Sequence, residues 1–270
     1  MRTIHTAIVT GPTGAVGTAL CSYMLKQGID VWAMVRPGSP RVDALPHGVH
    51  VIACDLSRMD NLPELMQGVK ADAFFHLAWE KTIGEGRDDV LAELNNVRYA
   101  VEAVHAARNL GCKVFIGAGS QAEYGRVEGR LKPDTPVFPE NGYGMAKLCA
   151  GQMTRLECQK LGMDHIWPRI LSIYGPRDGM GSMISGTINT LLRGKTPKLT
   201  LGIQKWDYLY SEDAAQALLL CAQKGRNGAV YPLGSGRAMP LKDYNDILRD
   251  TIDQRADLNL GNRSEEHTSE

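Results

Sequence analysis

The chain has 270 residues, 43 % apolar and 22 % charged. That globular balance excludes wholesale disorder and sets a length of one large domain or two tightly joined ones. Thirty Lys and Arg balance thirty Asp and Glu, which argues against a nucleic acid or an anionic membrane as the main partner.

The segment Ala7-Ile8-Val9 reads as a buried first strand, followed by a glycine loop and an apolar-periodic helix through Leu25. Further strands are predicted at Val31 to Val35, Val49 to Ala53 and Ala73 to Leu77. A long helix is predicted over Asp89 to Leu110, with Val90, Leu94, Val97, Val101 and Val104 at helical spacing. Val114 to Ala118 reads as a fifth strand, Tyr143 to Leu161 as a helix and His165 to Leu171 as a sixth strand. Strands alternating with helices predict an α/β fold with a doubly wound parallel sheet. After Tyr174-Gly175-Pro176 the texture loosens; 180–194, 211–224 and 240–254 look helical and 229–234 looks extended. The predicted division is a dinucleotide-binding domain over 1–175, with segments around 206–234 returning to it, and a smaller interleaved lobe over 176–262.

No apolar run reaches the roughly 18 residues of a membrane span, and the N-terminal stretch is too short and too soon interrupted for a secretory leader. Cysteines 21, 54, 112, 149, 158 and 221 form no C-x-x-C pair. They read as reduced core residues of a cytoplasmic protein, with no metal site implied. Residues 263–270 read Arg-Ser-Glu-Glu-His-Thr-Ser-Glu. They back-translate without a gap to a common sequencing-library adapter, the alternative being a charged solvated tail. On the adapter reading this segment stays out of fold reasoning, the native chain continues past Asn262, and the smaller lobe is truncated at its C-terminal end.

The loop after the first strand, Thr10-Gly11-Pro12-Thr13-Gly14-Ala15-Val16-Gly17, has the spacing G-x-x-G-x-x-G between a strand and a helix. Gly11 allows the tight turn, Gly14 lets the backbone approach a pyrophosphate, and Gly17 lets helix and strand pack closely. The second strand ends in Val35-Arg36 with Arg41 nearby, where an acid would bind the ribose 2′-hydroxyl of NAD. A cation there favours a 2′-phosphate, so NADP(H) is favoured over NAD(H).

Tyr143 and Lys147, four apart at a helix start, share one face. An ammonium beside a phenol is expected to lower its pKa and make it a usable acid/base near neutrality. Ser120, just past the fifth strand, is placed to polarise the same substrate oxygen.

With these pieces the chain resembles an extended short-chain dehydrogenase/reductase of the NAD-dependent epimerase/dehydratase family, which has a Rossmann fold. Cys54-Asp55-Leu56, Phe75-His76-Leu77-Ala78, Asn96-Val97, Gly119 to Gly125, Tyr143-Gly144-Met145-Ala146-Lys147, Arg169, Tyr174-Gly175-Pro176 and Trp206-Asp207-Tyr208 carry the likeness in order along the chain. The resemblance implies Asp55 and Leu56 beside the adenine, Leu77 and Ala78 lining the cofactor, and a Ser120/Tyr143/Lys147 triad. It implies hydride transfer at a nucleotide-sugar carbon while the tyrosine moves the hydroxyl proton. A homodimer is left open; no nucleic-acid or membrane partner is implied.

Departures narrow the reaction. The family's 4,6-dehydratases place Asp-Glu where Gln121 and Ala122 stand, so the acid/base for water elimination is missing. Its decarboxylases carry Glu, and its double epimerase–reductases Cys, where Ala122 stands. Glu123 is one place further on and is expected to point elsewhere. A 4-ketoreductase is slightly favoured by Arg36, with a UDP-hexose 4-epimerase as the alternative. The resemblance implies Asn where Ser172 stands and Arg where Trp206 stands; among the substrate-side residues, either Arg237 or Lys205 is a compensating cation or the substrate diphosphate is held differently, and Trp206 stacks on substrate or fills an apolar seam. His76 reads as packing. A reductase of another small carbonyl compound and a non-catalytic NADP-binding sensor complete the readings.

Overall fold

The computed structural model describes residues 1–263; residues 264–270, and so nearly all of the adapter-like segment, lie outside the described residues. The elements run β1 Thr6–Thr10, α1 Ala15–Lys26, β2 Asp30–Val35, β3 His50–Ala53, α2 Leu62–Leu65, β4 Ala73–His76, α3 Val90–Asn109, β5 Val114–Gly117 and β6 Gly119–Ser120. They continue with α4 Gly142–Leu161, β7 Asp164–Ile170, β8 Ser172–Tyr174, α5 Met183–Leu192, β9 Lys205–Trp206, β10 Tyr208–Tyr210, α6 Ser211–Lys224, β11 Ala229–Leu233, β12 Met239–Pro240 and α7 Leu241–Ile252.

Seven strands form the main path β11-β7-β5-β4-β1-β2-β3, with β6 added beside β7. Every pairing in this sheet is parallel. Parallel strands must be joined by crossovers, which cover both faces and leave the strands apolar throughout. Accordingly β4 and β5 are buried along their whole length. One face packs Leu20, Cys21 and Met24 of α1 and Leu218, Leu219 and Ala222 of α6 on the sheet. The other packs Ala103, Val104 and Ala107 of α3 with Met59, Leu62 and Met66. This is the Rossmann architecture, and β1 with β4 marks its switch point, where chain connections part to opposite sides.

Beyond Gly175 the chain builds a smaller layer. The pair β8–β10 is parallel and β9–β12 antiparallel. Leu191, Leu199 and Leu258 centre a separate small core with Met183, Leu248 and Ile252. Within 206–234, β11 joins the large sheet and α6 packs on its face, while β9 and β10 pair in the two small sheets.

Two expectations are corrected. On α3 the face turned inward is Ala92, Glu93, Asn96, Ala100, Ala103 and Ala107, whereas Val90 and Leu94 are exposed. Small residues let α3 lie close against the sheet and α4; of the predicted stripe Val90 and Leu94 are left outside, Val97 and Val101 are half-buried and Val104 is buried. Five cysteines are buried, but Cys149 is exposed on α4. It shares the outward face with Met145 and Met153. No helix among the described residues is long and apolar enough to cross a membrane.

Candidate active site

The sequence-predicted cofactor residues converge at the C-terminal ends of the parallel strands. Gly11 has φ +67°, and a Cβ there would meet the Ala78 backbone nitrogen at 2.8 Å. A Cβ on Gly17 would meet the Gly11 carbonyl oxygen at 2.2 Å, so α1 closes on its own loop only without a side chain. A Cβ on Gly14 would meet nothing nearer than the Gly11 oxygen, at 3.9 Å. That open approach leads to the first turn of α1, which holds no acidic residue. Thr13, Ala15 and Val16 flank it on the loop and in the first turn. The cradle fits a dinucleotide pyrophosphate: backbone amides at a helix start, no carboxylate to repel it, and space where a side chain would stand.

Thr10 ties this loop to the next strand. Its hydroxyl accepts from the Ala78 N–H at 3.1 Å and pairs with His76 Nδ1 at 3.1 Å. His76 is buried on the strand end and its pKa is pushed down to about 3 by burial and then by Lys147, so it is a neutral packed residue. Leu77 is half-buried beside Ala78. Arg36 is exposed immediately after β2, and its charge helps hold the Asp55 carboxyl below its ordinary value, behind the two hydrogen bonds from Ser57. Leu56 follows, packed on the core.

Ser120, Tyr143 and Lys147 are brought together beside this row. Asn141 caps α4 by accepting from the Gly144 N–H at 2.8 Å. Gly144 lies so close to the turn after β6 that a Cβ would sit 2.4 Å from the Ala122 oxygen. This close approach presses Tyr143 against the Ser120 turn. The Tyr143 pKa is raised, by burial first, and the Ser120 hydroxyl pulls the other way. Lys147, 3 % exposed, donates to the Ala118 carbonyl at 2.7 Å, and burial pushes its pKa down to about 7. The expected effect of the lysine on the phenol is therefore corrected. Desolvation outweighs charge, and the cation nearest the Tyr143 ring is Arg87, with Cζ 4.7 Å from the centroid against 5.6 Å for Lys147 Nζ.

Neighbouring residues build the frame, and of these Trp79, Glu93 and Trp167 were not singled out from the sequence. Glu123, 0 % exposed, accepts from the Ser120 N–H at 2.8 Å, from Trp167 Nε1 at 2.9 Å and from Arg169 Nε at 2.6 Å. It points beneath the Ser120 turn rather than toward the phenol. Trp79 meets Tyr143 edge-on, with centroids 6.2 Å apart, and its indole N–H donates to Glu93 at 2.8 Å.

Among the residues expected on the substrate side, Trp206 donates its indole N–H to the Ser172 hydroxyl. The Tyr244 hydroxyl lies within hydrogen-bond reach of the carbonyls of Trp206, at 3.2 Å, and Arg237, at 3.3 Å. Arg237 and Lys205 are both exposed at this edge. The adjoining cavity is lined by Thr200, Gln204, Trp206, Tyr208 and Asn245. Ser172 and Trp206 are thus brought together as a pair, and Arg237 joins them through its backbone.

The sequence model of the NAD dependent epimerase/dehydratase family matches residues 7–234. An uncharacterised UDP-glucose epimerase of Bacillus subtilis is 24 % identical over 273 residues, spanning 95 % of this chain and 85 % of the relative. The structure of a Thermotoga maritima UDP-glucose 4-epimerase with UDP-glucose superposes with a TM-score of 0.86 at 20 % identity, covering 97 % of this chain and 87 % of that one. A Thermus thermophilus UDP-glucose 4-epimerase in complex with NAD superposes at 0.83 with 19 % identity, covering 92 % and 83 %. The glycine cradle at the switch point and the fold around it agree with that match along most of the chain's length, and the chain belongs to the NAD-dependent epimerase/dehydratase family.

Proposed function

We propose that the chain is an NADP(H)-linked 4-ketoreductase of a nucleotide-activated sugar, with Ser120, Tyr143 and Lys147 as its reacting set. The observation that carries this reading is the close approach of Gly144 to Ala122, which holds half-buried Tyr143 beside the Ser120 turn, with Lys147 one turn on donating to the Ala118 carbonyl, beside the glycine cradle. Gly11, Gly14 and Gly17 would hold the pyrophosphate, Leu77 and Ala78 the nicotinamide half, and Asp55 and Leu56 the adenine. A bound reduced nicotinamide supplies the hydride. Ser120 donates a hydrogen bond to the substrate carbonyl oxygen, and Tyr143 passes its phenolic proton to that oxygen as the carbon is reduced. Lys147 holds the ribose with its ammonium. Burial keeps the phenol protonated, the state that a proton donor needs at the outset, whereas oxidation of a sugar hydroxyl starts from the phenolate. Arg36 at the end of β2 would meet a 2′-phosphate.

A UDP-hexose 4-epimerase with NAD is the second reading, favoured by what the Thermotoga and Thermus proteins are named for and hold. Trp206 in the place of the family's arginine favours a third reading, a reductase of another small carbonyl compound. The free buried thiols fit a reducing, cytoplasmic setting. The exposed Val90, Leu91 and Leu94 of α3 and Met145, Met153 and Leu156 of α4 fit a second copy of this chain.

The deciding measurement follows reduced-nicotinamide absorbance while product is counted by chromatography. One NADPH consumed per reduced 4-keto-6-deoxy nucleotide sugar is expected, with turnover abolished and cofactor affinity kept in Tyr143→Phe. Epimer formation from a UDP-hexose with no net NADPH loss hands the case to the epimerase, and full activity in Tyr143→Phe removes that residue from the mechanism.

A further inference from the structure

Glu93 is anomalous. It stands on the inward face of α3, 2 % exposed, among alanines. A carboxylate there loses its hydration and must find donors. It finds two: Trp79 Nε1 reaches Oε2 at 2.8 Å and Asn96 Nδ2 reaches the same oxygen at 3.3 Å, while Oε1 has no hydrogen-bond partner. Asn96 is itself clamped, donating to the Glu80 carbonyl at 3.1 Å and accepting from the Glu80 N–H at 2.9 Å. This second pair of bonds fixes the segment after β4 against α3, and with it the indole of Trp79.

The face of that indole is occupied. Lys147 Nζ lies 3.7 Å from its ring centroid, well inside the range of a cation–π contact and closer than to any other ring. The edge of the same indole meets Tyr143. A carboxylate that accepts the indole N–H pushes electron density into the ring and strengthens its hold on a cation. Trp79 thus stands between a buried anion on one side and the ammonium on the other.

We infer that Glu93, acting through the Trp79 indole, is a positioning residue for Lys147. It holds the ammonium charged and in place in a compartment that otherwise disfavours charge. This rests on the reading of Lys147 as the group that holds the cofactor ribose. The groups facing Lys147 come from four elements. Glu93 on α3 and Glu123 after β6 favour its charged form, Glu123 the more strongly. Neutral His76 faces it from β4, and Tyr143 lies one turn back on α4. Arg87, near Tyr143 and Glu93, completes the surroundings.

The experiment measures binding of NADH and of NADPH by reduced-nicotinamide fluorescence between about pH 5.5 and 9, for the parent chain, Glu93→Gln and Trp79→Phe. Using both nucleotides separates the protein's titration from that of the 2′-phosphate. Affinity in the parent is expected to fall as pH rises through the lysine's pKa, near 7. Removing the Glu93 charge makes the ammonium give up its proton sooner, so the midpoint moves down by about half to one pH unit in Glu93→Gln. Trp79→Phe keeps an aromatic face but cuts the tether to Glu93; its midpoint moves the same way, and affinity at pH 6.5 drops about threefold. A folded Glu93→Gln with an unmoved midpoint overturns the inference and leaves the role of Lys147 standing. If Glu93→Gln does not fold, Trp79→Phe decides, and an unmoved midpoint there overturns it equally. A parent chain that binds neither nucleotide removes the proposed function and this inference with it.

Discussion

The indole N–H of Trp206 donates to the hydroxyl of Ser172, so two of the positions at which the sequence reading sets the chain apart from the family it resembles form a single contact. An asparagine and an arginine would present amide and guanidinium groups to substrate; here serine and tryptophan satisfy each other at the edge of the cavity. The two residues lie on different small sheets, at the start of β8 and the end of β9. Their bond therefore joins the two small sheets.

A pair that acts as one unit is non-additive. Trp206→Phe and Ser172→Ala are each expected to raise KM for the nucleotide sugar severalfold. The double variant should be no worse than the poorer single, giving a coupling of about 1 kcal/mol, the usual worth of one hydrogen bond. A double-mutant cycle on KM reads this directly, and simple addition of the two losses shows that the side chains act separately.

Glu123 and Arg169 make a different kind of pair. Both are buried, and their carboxylate and guanidinium meet at 2.6 Å under the Ser120 turn. Glu123→Ala leaves a buried guanidinium without its partner, at a cost of about 3–5 kcal/mol. The double variant Glu123→Ala/Arg169→Met removes both charges and should recover a large part of that loss. Urea unfolding of the three proteins tests it. A single variant within about 1 kcal/mol of the parent means the pair contributes little to holding the turn.

The long parallel strands were legible because β1, β4 and β5 are short apolar runs bounded by breakers. The pairs β8–β10 and β9–β12 were not, since two or three residues carry no period and their partners lie more than thirty positions apart. The Tyr143/Lys147 spacing was legible for the same reason that it is local. The direction of their pKa shifts was not, because desolvation depends on what closes over them. Trp79 and Glu93 were missed although α3 held a signal. Glu93 and Asn96 share a face with Ala100, Ala103 and Ala107, and a carboxylate on a small-residue stripe marks a buried acid. The aliphatic spacing of Val90 and Leu94 drew attention to the wrong face.

His165 sets a pH limit on the fold. It is stacked between Phe115 and Trp167, with ring centroids 6.2 and 5.8 Å away, and its Nε2 pairs with the Thr154 hydroxyl at 2.9 Å. Burial pushes its pKa down to about 3 from the ordinary 6.5. Between those values the unfolded chain binds a proton that the folded chain refuses. Stability is therefore fully present above about 6.5 and is lost as pH falls toward 3, by up to about 1.4 kcal/mol per unit. His165→Phe keeps the stack and removes the titration, so its stability should fall less steeply with acid by that amount. Equal slopes for the two proteins between pH 6 and 4 would show that His165 does not titrate against the fold.

On the proposed reading Arg36 sets the cofactor preference, and its neighbourhood allows a clean reversal. It is exposed immediately after β2, so a change there is expected to act on the ligand rather than on the fold. A guanidinium offers two N–H donors to a 2′-phosphate, whereas a carboxylate accepts from a 2′-hydroxyl and repels the phosphate. The parent chain is expected to bind NADP(H) about tenfold more tightly than NAD(H), a difference of about 1.4 kcal/mol. Arg36→Asp should invert that order. The Asp55 carboxylate is close enough to feel the Arg36 charge, so the new aspartate adds to an existing negative field and the loss of NADP(H) should exceed the gain of NAD(H). Calorimetric titration of both proteins with both cofactors settles the sign. Tighter NAD(H) binding by the parent removes Arg36 from 2′-phosphate recognition, and with it the physical reason for preferring a consumed NADPH over a retained NAD.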